Sequence, residues 1–147
     1  QPRSEILLFQ ASRAQLVDEV IRPALAKGQV VLCDRYADST MAYQGYGHQM
    51  DLAQLAELVR FATGGLKPDL TLFLDIKPQD GLRRRDADGN WNRLDDYKLE
   101  FHERVYAGYK QLIEAERERW IEVDAMRTQD EVAAELAQIV LARLQSK

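Results

Sequence analysis

Two short apolar runs, each closing on an aspartate, do most to limit the fold. Val30-Val31-Leu32-Cys33 leads into Asp34, and Leu70-Thr71-Leu72-Phe73-Leu74 leads into Asp75. Neither run alternates apolar with polar residues, so each reads as a strand buried on both faces, as in a parallel sheet. A third short strand is expected over Trp120–Val123. The intervening segments carry helical spacing. Ile6, Leu7, Phe9, Ala14, Leu16, Val17, Val20 and Ile21 predict a helix from an N-cap at Ser4 to about Lys27, kinked at Pro23 and stopped by Gly28. Further helices are expected over about Ser39–Tyr46, Asp51–Thr63 (stopped by Gly64-Gly65), from Pro78 to Arg85, over about Asp95–Arg119, and over Gln129–Leu144. Asp86–Asn92 reads as a loop. Three strands separated by helices predict an α/β fold with a mainly parallel sheet, as one domain over 1–147.

Composition narrows the class. A 46% hydrophobic, 30% charged chain of this length can bury a sizeable core. The net charge of -4 argues against a nucleic-acid partner, because binding a polyanion needs a basic face. With one cysteine, no intrachain disulfide can form, which fits a reducing compartment. Cys33, inside an apolar run, reads as a small buried hydrophobe. No apolar stretch approaches the ~20 residues that a membrane helix needs. The expectation is a cytoplasmic protein with no membrane partner. The sequence opens Gln1-Pro2-Arg3-Ser4 without Met and enters a helical pattern at once, as a chain entered in its middle would.

Ligands of open α/β sheets collect outside the carboxyl ends of the strands. Asp34 at such a position could hold Mg2+ directly or through water, and Arg35 beside it could clamp a phosphate. Equally, Asp34 could pair with Arg35 or cap the next helix; spacing alone leaves both open. Arg83, Arg84, Arg85 and Arg93 flank the expected loop, where cations suit phosphoryl transfer; a solvated helix end is the commoner explanation. Phe9 and Arg13 share a helix face, where a ring could stack on a base and a guanidinium read its edge, or where Phe9 is core and Arg13 surface. Tyr36, Tyr43 and Tyr46, with Ser39 and Gln44, would form either a wall for a small planar ligand or ordinary packing. His48 and His102 have no partner at metal-ligand spacing and read as surface residues.

Taken in order, these stretches resemble the bacterial thymidylate kinases. Asp34-Arg35-Tyr36-Ala37-Asp38-Ser39-Thr40-Met41-Ala42-Tyr43-Gln44-Gly45 is similar to that family's DR(Y/F/H)xxSxxAYQG. Leu7–Arg13 matches LLFxAxR, Lys67–Asp75 matches (K/R)PDLTxxLD, and Phe101–Tyr109 is similar to FxxRVxxGY. The resemblance implies a P-loop NTPase-like nucleoside monophosphate kinase fold, with ATP and Mg2+ converting dTMP to dTDP. It implies that Phe9 stacks on thymine, Arg13 contacts the base edge, and Arg35 holds the acceptor phosphate with Asp34 near the metal. Ser39, Thr40 and Gln44 would read the base, and Tyr43 would exclude a ribose 2′-hydroxyl. Residues 83–94 would be a lid whose catalytic arginines are taken as Arg85 and Arg93. A homodimer packed through helices is implied, with the Ile6–Ile21 helix as a candidate interface.

The family's GxxxxGK(S/T) loop occurs nowhere in the sequence, nor does its acidic residue that positions the acceptor. The chain is therefore expected to be a fragment of a longer enzyme, inactive alone and lacking a strand between those ending at Asp34 and Asp75. The alternative from another class is a catalytically incomplete dTMP-binding or dimer-forming module. A P-loop kinase for another nucleotide is disfavoured by Tyr43-Gln44-Gly45.

Overall fold

Proline has no N–H to donate and a φ already near the helical value, so it favours the first turn of a helix. The first helix, α1 (Pro2–Leu16), accordingly begins at Pro2, with Gln1 rather than Ser4 in the capping position. The computed structural model describes residues 1–88 and 97–145. Pro23, which cannot donate to the carbonyl four residues back, is preceded by a wide π-helical turn (Val17–Ile21) that leads into α2 (Arg22–Ala26). The expected long helix with a disturbance at Pro23 is thus present, and it ends in a turn at Gly28, whose φ is 72°.

The described residues form two compact units. The first comprises 1–67 and 100–112, the second 68–99 and 113–147. In the first, α3 (Ala37–Thr40) runs directly into a second π-helical turn (Met41–Gly47). Next, α4 (Leu52–Thr63) is bounded as its sequence dictates. The Asp51 side chain accepts the Gln54 N–H at 2.9 Å, and Gly64 closes the helix in the left-handed region at φ 56°. Ile6, Val17 and Ile21 pack in a core with Ala42, Leu55, Val59 and Ala62, joined by Phe101 and Val105 from α6 (Leu99–Ala115). Each such side chain contributes roughly 1.5–3 kcal/mol by leaving water. Gly108 on α6 lets Tyr46 approach closely: a Cβ there would lie 2.5 Å from Tyr46 Cγ.

The second unit is built on a parallel pair, β1 (Thr71–Asp75) and β2 (Trp120–Asp124), with Thr71 opposite Trp120 and Asp75 opposite Asp124. Trp120 and Val123 are buried, and α7 (Gln129–Gln145) packs on β2. The helix α5 (Pro78–Asp88) starts at Pro78 as expected. It carries Arg84, whose Nη1 and Nη2 donate to the carbonyls of Ala125 (2.7 Å) and Met126 (3.2 Å) just beyond β2. Arg119 Nη1 donates to Thr71 Oγ1 at 2.8 Å, tying the two strands at their N-terminal end.

Four sequence expectations require correction. Val30–Cys33 makes no ladder among the described residues; Leu32 is 84% exposed and Cys33 is exposed, not a buried hydrophobe. A strand is a cooperative object that needs a paired edge, and the ladder described is β1 with β2 alone. The helix expected over Ser39–Tyr46 is a single α-turn followed by the π turn. Residues 86–88 of the expected loop continue α5, and the rest of that loop lies outside the described residues. Finally, the helix expected over Asp95–Arg119 is shorter, Leu99–Ala115, followed by a 3-10 turn at Arg117–Arg119. Whether one domain spans the whole chain remains an expectation.

Candidate functional site

Guanidinium groups only donate, so a half-buried arginine must find acceptors or water. Arg13, on the inner side of α1, finds three. Nη1 donates to Thr40 Oγ1 at 2.8 Å and to Gln10 Oε1 at 3.1 Å, and Nη2 donates to the Tyr36 carbonyl at 3.2 Å. The Tyr36 ring also lies beneath the guanidinium, 5.7 Å from Arg13 Cζ. Burial pulls the Arg13 pKa down, opposed by the phenol of Tyr36; from a starting value this high it remains charged. The expected pair Phe9 and Arg13 is therefore split by environment. Arg13 is embedded between α1 and α3, while Phe9 is 46% exposed and offers a free ring face.

Arg35 holds the more unusual backbone. Its φ of 59° places a non-glycine residue in the left-handed region, at a cost on the order of 1–2 kcal/mol. The guanidinium lies over the Tyr43 ring, 4.3 Å from its centroid, and makes no hydrogen bond among the described residues. Tyr43 is in turn held edge-on by Phe101 (6.2 Å between centroids) and Tyr109 (6.5 Å). Ser39 Oγ and the Tyr109 hydroxyl share a hydrogen bond of 2.9 Å. An aromatic stack thus supports a cation whose donors are uncommitted. Asp34 precedes it, exposed, in the bend that follows Cys33.

Burial pushes the Tyr109 phenol up to about 12, with the Ser39 hydrogen bond pulling the other way. An unfolded tyrosine loses its proton near 10. Between the two values the unfolded chain binds fewer protons than the folded one, so stability, complete below about pH 10, falls as pH rises towards 12. The expected loss is about 2–3 kcal/mol. Denaturant titrations at several alkaline pH values check this, and Tyr109→Phe is expected to flatten most of the decline. An equally steep decline in the variant would mean that another group carries it.

Gln44 is 4% exposed and donates through Nε2 to Glu5 Oε1 at 3.1 Å. The first unit therefore brings Arg13, Arg35, Ser39, Thr40, Tyr43 and Gln44 together with α1. Arg85 belongs to the second unit, exposed on α5, and Arg93 lies outside the described residues. Of the arginine run, Arg84 is committed to the carbonyls beyond β2, and Arg83 pairs with Asp80 at 3.8 Å. His48 and His102 are half-buried rather than surface residues, with rings 4.8 and 5.5 Å from that of Phe101. No cluster of three metal-ligating side chains occurs among the described residues, and no helix there is long and apolar enough to cross a membrane.

Sequence reading missed Gln10, Tyr109 and Glu5. Gln10 did leave a signal, since it falls in the buried register with Ile6, Val17 and Ile21, where a polar residue must have partners. Tyr109 and Glu5 left none beyond their residue types.

The described residues thus define an α/β protein with a small parallel sheet and a cationic, aromatic-backed cluster suited to a planar, phosphorylated ligand. The thymidylate kinase family profile matches residues 1–136. The chain is 52% identical to the thymidylate kinase of Roseiflexus castenholzii over 95% of its own length and 66% of that protein's. It is 50% identical to that of a Synechococcus strain (97% and 68%) and 49% identical to that of Deinococcus radiodurans (92% and 66%). The chain belongs to the thymidylate kinase family, whose fold is that of the P-loop NTPases. It spans about two thirds of the length of these relatives.

Proposed function

We propose that this chain carries the acceptor site of a kinase that transfers the ATP γ-phosphoryl group to dTMP, giving dTDP and ADP. The observation that supports this most is Arg35. A guanidinium on an aromatic platform, without hydrogen bonds among the described residues, fits a bidentate clamp on a nucleotide phosphate. Arg13 and Thr40 face the same ligand as donors to the base edge, Phe9 supplies a stacking face, and Gln44 and Ser39 complete the base contacts. Tyr43, wedged by Phe101 and Tyr109, is rigid enough to reject a ribose 2′-hydroxyl. In the transfer, the bond from the γ-phosphorus to the β–γ bridging oxygen breaks as an oxygen of the dTMP phosphate bonds to that phosphorus. Arg35 would hold the attacking phosphate, and Arg85 and Arg93 would neutralise charge on the moving group.

The exposed carboxylate of Asp34 fits a Mg2+ held mainly by water and phosphate oxygens rather than by a protein cage. Bound there, the ion would screen phosphate charge. The exposed Leu7, Leu8 and Val20 support a homodimer packed through α1 and the turn after it, and the cytosol is the setting proposed. A second reading, a dTMP-binding or dimer-forming module without turnover, is favoured by one observation: GxxxxGK(S/T) is not among the 147 residues.

Calorimetry with dTMP, dCMP and ribothymidine monophosphate, followed by an ATP-dependent dTDP assay, separates these readings. Selective dTMP binding with turnover supports the kinase, and selective binding alone supports the module. Equal binding of all three nucleotides would refute the roles given to Arg13, Thr40 and Tyr43.

A further inference from the structure

Resting on the acceptor-site reading above, we infer that Gln10 is a positioning residue. It fixes the hydrogen-bond polarity of Arg13 and Thr40 so that together they present only donors, which selects a 4-keto over a 4-amino pyrimidine.

The argument begins with burial. Gln10 is 3% exposed and Thr40 2%, so each polar atom there must be matched. Arg13 settles the orientation of the Gln10 amide: Nη1 can only donate, so the amide oxygen must face it, at 3.1 Å. The amide nitrogen then faces Thr40 and donates to Oγ1 at 3.2 Å. Thr40 Oγ1 also accepts from Arg13 Nη1 at 2.8 Å. A hydroxyl oxygen has two lone pairs and one proton, so both lone pairs are occupied. Its proton meets no acceptor among the described residues. Arg13 likewise keeps its Nε–H and one Nη2–H uncommitted, since Nη2 serves only the Tyr36 carbonyl there.

Every hydrogen-bonding valence this cluster has left to offer is therefore a donor. A ligand edge placed against it must accept. The 4-oxygen of thymine accepts, whereas the 4-amino group of cytosine donates and would leave donors facing donors, the kind of mismatch that sites built on hydrogen bonds reject most strongly. The selectivity does not follow from Thr40 alone, because a free hydroxyl turns to suit either partner. Gln10 removes that freedom.

Gln10→Glu changes the polarity with almost no change in shape. A carboxylate can accept from Arg13 but cannot donate to Thr40, so the Thr40 hydroxyl would turn its proton towards residue 10 and expose a lone pair to the ligand. The test compares dissociation constants for dTMP and 5-methyl-dCMP, which share phosphate, sugar and methyl group and differ in the pyrimidine edge. The original chain is expected to prefer dTMP, and Gln10→Glu to shrink that preference about tenfold, the effect of one hydrogen bond. Gln10→Met, which frees the hydroxyl without inverting it, is expected to shrink it less, and it decides the matter if the glutamate variant fails to fold by circular dichroism. A purely structural role would weaken both nucleotides by the same factor. An unchanged ratio in a folded variant overturns the inference and leaves the acceptor site standing. Failure of the original chain to prefer dTMP overturns the acceptor-site reading and this inference with it.

Discussion

Replacing Arg35 with alanine is expected to lower kcat/KM for dTMP by about 100-fold or more, the range seen when one preorganised donor to a reacting charge is lost. The fold should survive, because Arg35 makes no hydrogen bond among the described residues and contributes only its stack on Tyr43. The backbone supplies a second arm to the experiment. At φ 59° alanine keeps the left-handed strain and glycine relieves it. Arg35→Gly should therefore be about 1 kcal/mol more stable than Arg35→Ala while equally poor in turnover. Steady-state kinetics with thermal melts on both variants reads the two effects separately. Near-normal turnover in either variant would remove Arg35 from the phosphate. Equal stability would mean that the strain is absorbed elsewhere. A chain that keeps a side chain where glycine is more comfortable gains something other than stability from it.

The second large effect is structural. Gly108→Ala should destabilise the first unit by about 1–3 kcal/mol. Alanine is the better helix former by roughly 1 kcal/mol, so propensity alone predicts the opposite sign. The added Cβ, however, would lie 2.5 Å from Tyr46 Cγ and 2.7 Å from its Cβ. Those are atoms near the root of the side chain, which cannot swing away without moving the backbone of the Met41–Gly47 turn. Overpacking should win, and because Tyr43 and Gln44 share that turn, dTMP affinity should fall with stability. Urea denaturation and nucleotide titration on the same variant test both parts. A variant as stable as the original would show that the turn yields more easily than its packing suggests.

Legibility in the sequence followed how local each cause was. The helix α4 was readable at both ends because its signals, the Asp51 cap and Gly64, are residues at the ends themselves. The strands β1 and β2 were readable from their composition. Val30–Cys33 has the same composition and makes no ladder among the described residues, because composition reports that a segment could be a strand and not that its partner edge is there. The π turns carried no local signal apart from Pro23 after the first. In the site, Phe9, Arg13, Arg35 and Tyr43 drew notice through residue type and resemblance, but neither could show Gln10 deciding what Arg13 and Thr40 offer. The arginine run shows the same limit: three adjacent residues of one type look equivalent, and only tertiary contacts show Arg84 holding two carbonyls and Arg83 an aspartate.

The Met41–Gly47 turn has a further consequence, for length rather than composition. A π turn holds one residue more than the α turn it replaces, so it acts as a phase shifter along the helix. A relative one residue shorter here would retain its helical content and its Tyr-Gln-Gly letters. It would nonetheless turn those letters by more than a quarter of a revolution, about 100° per residue. Among such proteins, a gap of one position in this stretch carries more meaning than several substitutions. It changes which way the tyrosine and glutamine face while every residue keeps its name.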